Sequence, residues 1–329
     1  MQSVKHAIII AAGLASCMAV ARAQDNNKPQ APAKPVHPRP VSRVKPAEPP
    51  KDTTFRGKEA HVYFHEKELT WKIGNDVIER TIQFDKDLGG LRTTQIKTMD
   101  GVPKIDTTST TEGEFSVIGA DGRKRGPYRL DHDWAYIWQS VGTPPSQGRL
   151  LTIHLQGVRS NSGIEVEVLY EIYPGNRPWL AKSLTLINRG DAPIALADVV
   201  YDRWVLPTPA HPAKVPKGAA KTASAPASNA KPEDFTASGD FSIGVEDAAN
   251  RIGLRAFLTG KNGEIAYQNG VVIPRFTGPV EAPRWGGRAY SPFAVVFAYT
   301  GTADRGSMLY QKYDAATAPT ASYVKSRNP

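Results

Sequence analysis

Period-two alternation limits this chain more than any other feature. Residues 164–168 read IEVEV, with apolar side chains on one face and carboxylates on the other. That period fits a half-buried β-strand, because successive strand side chains point to opposite faces. Similar runs occur at 115–118 (FSVI), 150–155 (LLTIHL), 184–187 (LTLI), 194–200 (IALADVV), 241–245 (FSIGV), 252–258 (IGLRAFL) and 293–297 (FAVVF). Turn signals separate them: Asp100-Gly101, Asp121-Gly122, Pro174-Gly175, Asn188 to Gly190 and Asn262-Gly263. Many short strands at this spacing predict an all-β sandwich or barrel. No long helical period is evident, which argues against a (β/α)8 or Rossmann architecture. Nucleotide-binding glycine loops, a G-x-S-x-G elbow and an H-E-x-x-H zinc motif are all missing from the sequence.

The flanks have a different composition. Lys5 and His6 precede an apolar run over 7–20, which Ala21-Arg22-Ala23 closes. A short basic start, an apolar centre and an A-x-A exit predict a signal peptide at 1–23, and so an exported protein, periplasmic or extracellular. Leu14-Ala15-Ser16-Cys17 also resembles a bacterial lipobox, which would make Cys17 a lipidated first residue and tether the protein to the membrane. Cleavage after Ala23 would discard Cys17 instead, and both routes stay open. Cys17 is the only cysteine, so neither route leaves a disulfide in the folded part. A body of this size can bury enough core without one.

Residues 24–57 are rich in Pro, Lys and Arg and poor in aromatics, which predicts a disordered, extended linker. In polyproline II form it would reach on the order of 100 Å, at ~3.1 Å per residue. A solvated spacer is expected, with a polyanion-binding arm as the alternative. A second low-complexity stretch, 207–232, is expected to be an insertion between strands of the 58–329 body rather than a linker between two domains. The net charge of the chain is +9; the leader carries +2 and these two segments +4 each, which leaves the remainder at −1. The basic balance therefore belongs to the flanks and does not indicate a nucleic-acid partner.

Residues 71–98, WKIGNDVIERTIQFDKDLGGLRTTQIKT, read as two strands and a double-glycine turn, with Gly74-Asn75-Asp76 shaping a bend. Trp71, Ile73, Gly74, Asn75, Ile78, Glu79, Arg80 and Ile82 resemble the first-strand pattern of the N-terminal domain of family-36-type α-galactosidases. Residues 166–199, VEVLYEIYPGNRPWLAKSLTLINRGDAPIALADV, resemble a second stretch of that family. The resemblance implies a two-sheet β-supersandwich of the galactose-mutarotase-like class. In such enzymes a (β/α)8 barrel follows and supplies the nucleophile and acid aspartates. Here the sequence ends at Pro329, soon after the 308–313 stretch where that barrel would begin, so no catalytic residue is carried over.

The densest candidate segment is Arg129, Asp131, His132, Trp134, Tyr136 and Trp138. In an extended chain the three aromatics share one face. Aromatic faces stack on sugar C–H groups, while carboxylates and Arg pair with hydroxyls. Packing into a sandwich core is the alternative for those rings. A loop with Arg284, Trp285, Gly286, Gly287 and Arg288 is the second candidate, against a plain surface loop. Glu165 and Glu167 share a strand face, where a solvated outer surface is expected over a glycosidase pair. Glu79 and Arg80 point to opposite faces and are expected to form cross-strand ion pairs. His61, His65, His132 and His154, with Glu264 or Glu281, supply the residue types of an aldose epimerase but not its motifs. No metal site and no cofactor is expected.

These readings converge on an exported sandwich module that binds a galactoside or other glycan without catalysis. Two alternatives remain: an aldose-1-epimerase-like or glycosidase-associated enzyme, and an envelope-tethered scaffold.

Overall fold

A computed structural model describes residues 53–57, 60–99, 105–106, 113–119, 132–200, 202–205, 211–212, 235–238, 242–247, 252–259, 263–268, 271–291 and 293–317. All belong to one compact unit, Pro46–Pro329. The signal-peptide segment and Cys17, Arg129 and Asp131 lie outside the described residues, as do most of the two low-complexity segments.

Three antiparallel sheets account for the strands. The first is a meander of β1 (Thr53–Gly57), β2 (Ala60–His65), β3 (Thr70–Asn75), β4 (Ile78–Asp85), β5 (Gly90–Thr98) and β6 (Ile105–Asp106), in that order. The second runs β14 (His211–Pro212), β16 (Ser242–Asp247), β17 (Ile252–Thr259), β21 (Phe293–Thr300), β11 (Leu180–Asn188), β10 (Ile164–Ile172), β9 (Arg149–Gly157), β8 (Trp134–Gly142). A short β20 (Arg288–Tyr290) joins it along β11. The third runs β15 (Phe235–Ser238), β18 (Gly263–Gln268), β19 (Val271–Ala282), β12 (Ile194–Val200), β7 (Ser116–Gly119), with β13 (Trp204–Val205) beside β19. The first and third sheets both pack on the second, through β3 against β10, β5 against β21 and β19 against β11. The fold is all-β and layered as a sandwich, as the alternation predicts.

The inner face of the second sheet carries the core. Val166, Val168, Tyr170 and Ile172 of β10 and Leu180, Leu184 and Leu186 of β11 are buried, while Glu165 and Glu167 point outward. Trp71 and Phe84 of the first sheet pack on Tyr136, and Phe115 packs on Trp134. The β3–β4 hairpin closes at Asn75, as expected for the bend. Its Oδ1 accepts from Val77 and Ile78 N–H at 2.9 and 3.0 Å, and its Nδ2 donates to the Tyr173 and Arg177 carbonyls at 2.9 and 2.7 Å. Both polar atoms of this buried side chain are thereby satisfied.

Three expectations about boundaries change. Residues 53–57 pair with β2, so folded structure begins inside the segment read as a linker to residue 57. Within the 207–232 stretch, His211 and Pro212 pair with Glu246 and Val245 of β16. One helix, α1 (Ala303–Thr317), appears where no helical period was recognised. Its apolar contribution is short: Leu309, Tyr310 and Tyr313 are the helix-spaced residues packed on the core, and the remaining turns are polar.

Candidate functional site

The outer face of the second sheet assembles the densest accessible set of aromatic and charged side chains among the described residues. Cross-strand register lines them up in two rows. Trp138 (β8), His154 (β9), Glu167 (β10), Thr185 (β11) and Tyr290 (β20) form one row. Gln156, Glu165, Ile187 and Arg288 form the next.

A β-bulge puts Trp138 there. Tyr136 pairs with Leu155 and Trp138 with His154, so two steps on β8 match one step on β9. The extra residue, Ile137, reverses the alternation. Trp134 and Tyr136 therefore face inward, and Trp138 faces outward with 39% exposure. This corrects the expectation that the three aromatics share a face. Trp134 is buried on Phe115, with ring centroids 5.8 Å apart. Tyr136 lies 5.6 Å from the Trp71 ring, and burial, reinforced by Glu66, pushes its hydroxyl up to about 12. Both belong to the core alternative, and only Trp138 of the trio is available to a ligand.

Trp138 stacks on His154, with ring centroids 4.9 Å apart and planes 11° from parallel. His154 Nε2 lies 3.3 Å from Glu165 and its Nδ1 3.8 Å from Glu167, the latter a separation longer than a hydrogen bond. Each carboxylate also receives a guanidinium. Arg189 Nη2 donates to Glu165 at 2.8 Å, and Arg288 Nη1 donates to Glu167 at 3.1 Å. The adjacent His154 ring, and then Arg288, outweigh burial and hold the Glu167 carboxyl below its ordinary range. Glu165 and Glu167 are thus not merely solvated. Their side chains are 17% and 16% exposed and are fixed by partners on three other segments.

The loop after β19 supplies the far edge. Trp285 has φ 61°, in the left-handed region that non-glycine residues rarely occupy, and is 71% exposed. Three backbone hydrogen bonds hold this turn against the end of β11: Trp285 N–H to the Gly190 carbonyl at 3.1 Å, Gly286 N–H to Asn188 at 2.6 Å, and Asn188 N–H to Gly287 at 2.9 Å. Gly287 admits no side chain, because a Cβ would sit 2.1 Å from the Pro283 carbonyl oxygen. The turn is rigidly tied, yet it holds a large indole in solvent. Such strain is a common mark of a functional position. Arg284 is exposed beside Trp285.

The other sequence candidates fall elsewhere. His132 lies at the start of β8, 3.9 Å from Asp133, which Arg159 also contacts at 3.1 Å. The epimerase-type residues are dispersed. His61 bonds Glu79 at 3.0 Å on the first sheet, His65 lies 4.0 Å from Glu68, and Glu264 of the third sheet accepts from Arg275 at 2.8 Å. Only His154 of that group reaches the outer face described above. Sequence reasoning named His154 only among the epimerase-type residues and missed Arg189. The available signal was a strand histidine followed by two carboxylates spaced two apart, which register alone could unite.

A second polar constellation is sealed inside. Arg80 Nη2 contacts Glu114 and lies 2.7 Å from Asp202, and its Nε donates to Thr93 at 2.8 Å. Tyr170 donates to Glu114 at 2.6 Å. Lys182 Nζ sits 3.2 Å from Glu114 and 3.7 Å from Asp202, over the Tyr170 and Phe115 rings. Burial pushes the Lys182 ammonium well below its ordinary value, against the pull of Asp202, and pushes the Tyr170 hydroxyl up. Arg80 therefore finds its carboxylates on the segments before β7 and β13, while the neighbouring strand β5 supplies only the Thr93 hydroxyl and not the ion-pair partner expected. Glu79 does pair across strands, with His61 and with Lys97 at 2.8 Å. All members of the internal set are buried, so its role is to hold the sheets together.

No family model matches the chain, and no curated protein matches it either. Solved structures do. An α-galactosidase from Lactobacillus brevis superposes with a TM-score of 0.54 at 11% identity, over 75% of this chain and 41% of the enzyme. A protein assigned as an aldose 1-epimerase from Klebsiella pneumoniae superposes with a TM-score of 0.50 at 8% identity, over 82% of this chain and 92% of its own. The chain thus spans about two fifths of the length of the α-galactosidase it matches. At these identities the likeness is one of fold. The chain has the galactose-mutarotase-like β-sandwich that the sequence resemblance implies, with no (β/α)8 barrel among the described residues.

Proposed function

We propose that the outer face of the second sheet is a non-catalytic carbohydrate-binding face. One observation carries the reading: Trp138 lies flat on His154 between two carboxylates that are each held by an arginine. An exposed indole offers a stacking surface to the C–H face of a pyranose. Carboxylates and guanidinium groups already fixed in place offer acceptors and donors to hydroxyls with little further ordering cost. Because Glu167 is held below its ordinary range, it stays an acceptor in mildly acidic medium.

Binding of the full chain to arrayed galactosides, glucosides and plant polysaccharides tests this. Saturable binding, lost in Trp138→Ala with the circular dichroism spectrum unchanged, is the expected result. Absence of binding across the array would remove the reading and favour a scaffold.

An enzymatic reading is supported by the same imidazole, which has a carboxylate near each ring nitrogen, a setting suited to proton transfer. Polarimetry on freshly dissolved glucose or galactose decides it, through anomer interconversion above the buffer blank that disappears in His154→Ala. We also infer export, from the leader-like residues 1–23, with 24–52 as the spacer. N-terminal analysis of the mature protein should find Gln24, or a lipid-modified Cys17. An intact Met1 in the mature protein would exclude both.

A further inference from the structure

The spacing of the two exposed indoles bears on the size of ligand. This inference rests on the carbohydrate reading of the same face. Trp138 stands on β8, and Trp285 stands in the turn tied to Asn188 and Gly190 at the end of β11. From β8 to β11 the sheet crosses three strand spacings, and from Thr185, level with Trp138, the chain rises through about five residues to Gly190. At ~4.8 Å per spacing and ~3.3 Å per residue, the two positions are about 20 Å apart along a diagonal.

The ground between them is polar and continuous. His154 meets both Glu167 and Glu165, and these in turn hold Arg288 and Arg189. The carboxylates sit low, while the indoles and Arg189 stand out into solvent. A pyranose unit advances an extended chain by about one strand spacing, ~5 Å, so one sugar covers one indole, and rings stacked on both indoles lie about four steps apart, which takes about five units. A site for a single sugar would gather its aromatic and polar groups around one pocket. Here a stacking surface at each end flanks a hydrogen-bonding floor.

We infer that this face binds an extended oligosaccharide of about five sugar units, lying diagonally over β8 to β11 with its two ends stacked on Trp138 and Trp285. The two indoles act as linked binding points, so occupancy of one raises the effective concentration at the other.

Calorimetric titration of the full chain with two chain-length series tests the inference: glucose to cellohexaose, and galactose to β-1,4-galactohexaose. In the series that binds, affinity is expected to rise at least tenfold from the monosaccharide to the pentasaccharide and then level off. Trp285→Ala should erase that rise. Equal affinity for mono- and pentasaccharide overturns the inference and leaves the carbohydrate reading intact. So does a Trp285→Ala variant that keeps the chain-length dependence. Failure of both series in the titration, with positive array binding to other sugars, limits the face to ligands of another shape and also overturns it. Failure everywhere removes both readings together.

Discussion

Arg80 and Glu79 are sequence neighbours with opposite fates. Arg80 points into the sandwich, where Glu114 and Asp202 neutralise it; Glu79 points outward to His61 and Lys97. The route from His61 to Glu79 crosses β3 at Gly74, which carries no side chain to block it. Arg80→Met leaves two buried carboxylates with only Lys182 to balance them. Loss of one partner from a buried ion cluster typically costs about 3–5 kcal/mol. Urea unfolding of Arg80→Met should show a loss of that order, and a loss under 1 kcal/mol would mean the cluster is not a clamp. For Glu79, burial raises its pKa, but the hydrogen bonds from His61 and Lys97 win and hold it at about 2, against an ordinary 4.5. A depressed carboxylate stabilises the fold above its unfolded value, and that contribution disappears as pH falls from about 4.5 toward 2. Solvent screening reduces the contribution to on the order of 1–2 kcal/mol. Chemical denaturation of Glu79→Gln across that window should show a flatter pH dependence than the parent chain.

At the scale of elements, the bulge at Ile137 is decisive. An unbroken strand would have buried Trp138 or exposed Trp134 and Tyr136, because a one-residue slip exchanges the two faces. Deleting Ile137 makes Tyr136 and Trp138 consecutive residues that still pair with Leu155 and His154 and still face opposite ways, so glycan binding is expected to survive the deletion. Loss of binding in a deletion variant that still unfolds cooperatively would show that the facing of Trp138 depends on more than this register. The turn bearing Trp285 is the second such device. Asn188, buried, accepts from Gly190 N–H through Oδ1 at 2.9 Å and donates to the Ala192 and Ala282 carbonyls at 2.7 and 3.1 Å, which couples the end of β11 to the end of β19. Its place was legible as a turn signal. Its coupling to a loop about a hundred residues later was not.

For the whole molecule, α1 closes the core. Tyr313 lies 5.2 Å from the Trp179 ring, 4.7 Å from Phe257 and 5.9 Å from Tyr173. Replacing a buried aromatic with Ala typically costs about 3–5 kcal/mol. Tyr313→Ala should lose stability of that order in thermal and urea unfolding, whereas an exposed position such as Met308→Ala should change little. The alternation by itself determined the all-β class and the positions of several long strands, though not of β19, the longest, because inward and outward facing is a local property of an extended chain. It also determined the Asn75 hairpin and the separation of basic flanks from a near-neutral body. Only the tertiary structure decided which strands lie side by side. It also decided where a bulge reverses the faces, and that Arg80 meets Asp202 while His154 meets Glu165 and Glu167. Those outcomes depend on pairing between segments far apart in the chain, and periodicity within one segment carries no information about its partner.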